Sequence, residues 1–203
     1  MLLEPGDIAA CFGRDLTSRV IRLGTLSPFA PPRLRIGPSH VAMICEFQGE
    51  RIWAESTSLC RTPCLIQGKR VEGAQAHFPV DRIAEYTENG GFVDIYRLTP
   101  VNALSQEERR LLSLILLQHF VGAGLHYDIR GAVLSGTRAF QASRLFPGAN
   151  LEELFCSEMV AAVVMRLNRM NHANPARYNP ARLLRELVRT GKYEYVETVG
   201  PTC

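Results

Sequence analysis

No apolar run in this chain of 203 residues is long enough to span a bilayer, so the sequence predicts no transmembrane segment. The opening residues, Met1-Leu2-Leu3-Glu4-Pro5-Gly6-Asp7, lack the basic and apolar blocks of a secretory signal. On that reading the protein is cytoplasmic. Neither sign of charge dominates: 23 basic residues face 20 acidic ones, for a net charge of +3. That balance gives no reason to expect a nucleic-acid partner. The six cysteines, at 11, 45, 60, 64, 156 and 203, form no regular framework, so free thiols are expected in a reducing compartment. Cys60 and Cys64 with His77 lack a fourth ligand and a convincing spacing, so no metal and no other cofactor is expected. Repeats, low-complexity tracts and linkers are also missing, and residues 1–203 read as a single domain, large enough to bury a core. Hydrophobic content of 46% and charged content of 21% suit a soluble globular chain.

What is present centres on Leu154-Phe155-Cys156-Ser157-Glu158-Met159-Val160. Cys156 opens an apolar run through Leu167 that is too long for an ordinary strand and rich in helix formers. In the first turn of a buried helix, unpaired N–H groups and the helix dipole favour an anion, and a thiol there loses its proton more easily. A small buried hydrophobe is the other reading of a free cysteine. A base elsewhere in the chain would decide between them.

His40-Val41-Ala42-Met43-Ile44-Cys45-Glu46-Phe47 reads as a strand, Gln48-Gly49-Glu50 as a turn, and Arg51-Ile52-Trp53-Ala54-Glu55-Ser56 as the returning strand. A turn centred near Gln48 and Gly49 sets Glu55 opposite Ala42. His40 and Glu55 then become diagonal neighbours on one face, within reach of long side chains. Alternatively, Glu55 is an ordinary exposed strand carboxylate.

The remaining segments are less specific. Ile8 to Phe12 reads as a buried strand and Ser18 to Leu23 as a short helix, followed by a broken path through Pro28, Pro31, Pro32 and Pro38. Arg14, Arg19, Arg22, Arg33 and Arg35 make that segment basic, either as a solvated loop or as a functional one. Cys64-Leu65-Ile66 and His77-Phe78-Pro79-Val80 look like strand fragments, and Phe92 to Leu98 like a half-buried strand. Ser105 and Glu108 make a capping box for a helix through Phe120. Asn179-Pro180 starts another helix, and Lys192 to Glu197 reads as an edge strand. His77, His119, His126 and His172 show neither a strand setting nor a nearby carboxylate, and read as surface or satisfied core residues.

A thiol at a helix start, with a strand histidine oriented by a carboxylate, is the layout of nucleophilic cysteine catalysis. Gly6-Asp7-Ile8, Ser39-His40-Val41-Ala42-Met43-Ile44, Trp53-Ala54-Glu55-Ser56, Gly124-Leu125-His126-Tyr127-Asp128, Phe155-Cys156-Ser157-Glu158-Met159-Val160 and Asn179-Pro180 occur in that order. In this the chain resembles the NlpC-type papain-like cysteine hydrolases of the circularly permuted branch, which includes YiiX-like, poxvirus and lecithin:retinol acyltransferase groups. The resemblance implies Cys156 as nucleophile, His40 as base and Glu55 as the third polar residue. It also offers Tyr127 as an oxyanion or substrate-positioning hydroxyl, against a core tyrosine with a bonded hydroxyl.

The expected fold is α+β and papain-like, a small antiparallel, barrel-like sheet against the Cys156 helix. The expected activity is thiol-dependent hydrolysis through an acyl-enzyme, with a peptide- or lipid-like amide or ester as substrate and peptide amides first. A lipid-directed thiol acyltransferase or esterase is the rival enzyme, and a non-catalytic binding module on the same fold the rival outside enzymology.

Overall fold

A computed structural model describes residues 2–58, 60–124 and 156–200. Six strands form one antiparallel sheet: β1 (Ile8–Phe12), β2 (His40–Phe47), β3 (Glu50–Thr57), β4 (Gly73–His77), β5 (Phe92–Leu98) and β6 (Tyr193–Val199), in the spatial order β4-β3-β2-β1-β5-β6. Among the described residues five α-helices accompany it: α1 (Leu16–Gly24), α2 (Pro79–Glu88), α3 (Gln106–Leu114), α4 (Cys156–Arg166) and α5 (Pro180–Arg189).

The sheet is open, with β4 and β6 at its two edges, which corrects the barrel-like expectation. The reason lies in what covers it. Side chains alternate between faces along a strand. Ile8, Val41, Met43, Ala54 and Tyr96 share one apolar cluster with residues of α3, α4 and α5. Ala9, Ala42, Ile44, Trp53 and Ile95 point the other way, into a cluster with Ile83 and Tyr86 of α2. Helices therefore bury both faces, and the sheet need not curl on itself to hide either one.

Local chemistry sets several boundaries. Ser105 and Glu108 close a reciprocal capping box at α3, which continues into a π-wound stretch, Ile115–Val121. The Asn179 side chain accepts from the Arg182 N–H at the start of α5, with Pro180 at its first position. Two segments expected as strand fragments fold otherwise. Residues 64–66 form a bend beside β4, where the Leu65 N–H donates to the Ala76 carbonyl at 2.8 Å. His77 ends β4, and Pro79, fixed in φ, begins α2 rather than extending the strand.

Candidate active site

The β2–β3 hairpin turns at Gln48 and Gly49, both in the left-handed region at φ 52° and 84°, as a tight two-residue turn requires. That turn fixes the register from Phe47↔Glu50 to Met43↔Ala54. Further along the hairpin, on the face turned toward α2, His40 Nε2 meets Glu55 Oε2 at 2.7 Å. Both residues are buried.

The other oxygen of Glu55 accepts from Nε of Arg82 at 2.5 Å, and Arg82 also pairs with Glu85 on its own helix. A carboxylate with no exposure needs such partners. Burial alone would raise the Glu55 pKa, but Arg82 and then His40 overcome it and hold the carboxyl below the usual range. Burial likewise works against a charged His40. The neighbouring Cys156 and the bonded Glu55 outweigh that cost and lift the imidazole to about 10.

Cys156 comes from the opposite side of the sheet. It belongs to the apolar cluster of the α4 face and opens the described part of α4, yet it lies close enough to His40 to act on the imidazole's charge. Because His40 is the first residue of β2, its ring lies at the end of the sheet, where side chains from both faces can meet. Next door, the Ser157 hydroxyl donates to the Tyr178 carbonyl at 2.6 Å and ties the start of α4 to the chain before α5.

A second thiol–histidine pair lies close by. Cys60 Sγ is 3.4 Å from His77 Nε2, and His77 Nε2 is 2.9 Å from Gln75 Oε1. His77 is buried at the end of β4, opposite Trp53, so reading it as lacking a strand setting and a nearby carboxylate was incorrect. One donor atom each from Glu55, Cys60 and His77 lies within 4.8 Å of the others. Burial raises the Cys60 thiol and lowers the His77 imidazole, so this second pair is held neutral. Cys11, paired with His40 across the β1–β2 ladder, is also pushed up by burial.

A cleft of about 620 Å³ opens over this network. His40, Arg82, Glu85 and Tyr86 contribute from the sheet and α2, while residues 13–18 and Ile21 form a wall. Cys156 is not in that lining and is only 3% exposed. Tyr127 and His126 lie outside the described residues. His119 and His172 are exposed.

No protein-family model and no curated protein sequence matches the chain. Five solved chains do. One is the crystal structure of metalloprotein YiiX from Escherichia coli O157:H7, at 18% identity and a TM-score of 0.55, with 98% of each chain covered. In fold the chain is similar to YiiX. At that identity the likeness to YiiX concerns the fold, and the chemistry has to be argued from the side chains.

Proposed function

We propose that this chain is a thiol hydrolase of the permuted NlpC-type papain-like kind, acting on amides through an acyl-enzyme on Cys156. One observation carries the reading: the buried His40 is bonded to the Glu55 carboxylate at 2.7 Å, and Cys156, from the other face of the sheet, acts on the same imidazole. With Nε2 donating to Glu55, Nδ1 is the nitrogen left for the sulfur. The proton held on His40 makes the imidazolium partner that a thiolate needs.

In the reaction the Cys156 sulfur adds to the substrate carbonyl carbon. Backbone N–H groups at the start of α4 are suited to the oxyanion. His40 then gives its proton to the departing amine, and the C–N bond breaks to leave a thioester. Water, losing a proton to His40, attacks the thioester, releasing the acid and restoring the thiol. Glu55 holds the imidazole in place throughout, and Arg82 holds Glu55. The decisive experiment is intact-mass detection of an acyl adduct after mixing with an activated ester or peptide amide. The adduct should map to Cys156 and be missing from Cys156→Ala.

YiiX is named as a metalloprotein, and Glu55, Cys60 and His77 present a carboxylate, a thiol and an imidazole close together. These donors fit a metal poorly. Both Glu55 oxygens already serve His40 and Arg82, His77 Nε2 meets Gln75, and the Arg82 guanidinium puts a positive charge beside any dication. No step of the mechanism is routed through a metal.

A further inference from the structure

Six of the 15 large apolar side chains exposed among the described residues fall between residues 16 and 36: Leu16, Val20, Leu23, Leu26, Phe29 and Ile36. Phe29 is 98% exposed. Within α1, Leu16, Val20 and Leu23 are spaced i, i+4, i+7 and so share one face. A surface helix normally turns that stripe inward. Here it turns outward, and Ser18 on the opposite side is buried.

The segment is anchored from beneath. Arg185 of α5 donates to the carbonyls of Thr25, Leu34 and Arg35. Leu34 is buried. Gly37 lies so close to α5 that a Cβ there would meet Ala181 Cβ at 2.1 Å. The outward stripe is therefore presented by a fixed frame. Around it stand exposed Arg14, Arg19, Arg33 and Arg35. The segment's acidic residue, Asp15, is occupied in capping α1 through Ser18.

Apolar side chains facing outward inside a rim of arginines match the boundary between anionic headgroups and acyl chains. A second copy of this chain would bring the same arginines against one another. We propose that residues 14–36 dock the protein on the surface of an anionic phospholipid bilayer, with Leu23, Leu26 and Phe29 entering the interface. The same segment walls the cleft that His40 lines, so docking would bring that cleft close to the bilayer surface. Docking does not depend on the chemistry of Cys156, and its test can fail or succeed without it.

The test is flotation of the full chain with vesicles made of equal parts phosphatidylcholine and phosphatidylglycerol, against vesicles of phosphatidylcholine alone. The protein should float with the mixed vesicles only, and less as salt is raised. Leu23→Ser with Phe29→Ser, and separately Arg19→Glu with Arg35→Glu, should each lower partitioning by roughly tenfold or more. Unfolding midpoints and turnover of a soluble ester should be unchanged in both. Failure to float, equal binding to neutral vesicles, or variants that bind like the parent would each overturn the proposal. So would a salt-sensitive complex with an acidic protein, or self-association, lost in these variants while vesicle binding persists.

Discussion

Arg82 reaches from α2 to Glu55 on β3, Nε to Oε1 at 2.5 Å, and the two side chains are 3% and 0% exposed. The pair joins two elements far apart in sequence under the face that carries His40. A buried pair adds little over a well-packed apolar substitute, but removing one partner strands the other charge.

Arg82→Met should therefore cost about 3–5 kcal/mol in denaturant unfolding, and adding Glu55→Gln should recover part of the loss. A cost below about 1 kcal/mol would place Arg82 among ordinary surface pairs.

Glu55→Gln keeps the size of the side chain and removes the charge that steadies a protonated His40. Turnover is expected to fall by roughly 10²-fold or more, well beyond any change in folding. Unchanged turnover would mean that another group orients the imidazole.

The same pair sets a pH dependence of stability. His40 is raised to about 10, so its contribution is complete below its unfolded pKa of about 6.5 and is lost as pH climbs through about 10. Glu55 is depressed, so its contribution is complete above its unfolded pKa of about 4.3 and is lost on acidification below it. Thermal melts should show greatest support from this pair between those unfolded values. Glu55→Gln should remove the acid-side loss and weaken the alkaline one, and melts with the parent's profile would contradict this. Turnover should also decline toward about pH 10 as His40 loses its proton, and that limb should move to lower pH in Glu55→Gln.

Elemental analysis of protein purified without chelator should show less than one equivalent of zinc. A tightly held equivalent lost in Cys60→Ser and in His77→Ala would show that the cluster binds metal despite Arg82. Glu55 would then have to leave His40 or Arg82, and the parent's turnover should rise when the metal is removed.

The hairpin carrying His40 and Glu55 was legible because Gln48-Gly49 fixes its register, and alternation then settles the faces. Ser105, Glu108 and Asn179-Pro180 marked helix starts for equally local reasons. Arg82, Cys60 and His77 were not legible as one group. They meet through the β3–β4 pairing and the packing of α2, and neither leaves a short spacing in the chain. Alternation across Gly73–His77, with Gln75 and His77 facing the same way as Glu55, was the signal available for His77. Phe78 and Val80 obscured it by making the segment look like a strand that continued past Pro79, where α2 begins. The open sheet was likewise hidden, since closure depends on which helices cover its faces.

Cysteine reactivity bears most directly on the central claim, because exposure and chemistry point to different thiols. Cys60 is half-buried and Cys156 is 3% exposed; access alone would favour Cys60. At roughly pH 6 an ordinary thiol, with its pKa near 8.5, is almost wholly protonated and slow to react. Peptide mapping after a low dose of iodoacetamide at that pH should find Cys156 modified first, with the rate falling sharply in His40→Ala. Modification of Cys60, Cys64 or Cys203 ahead of Cys156, or a rate at Cys156 indifferent to His40, would contradict the assignment of Cys156 as the nucleophile.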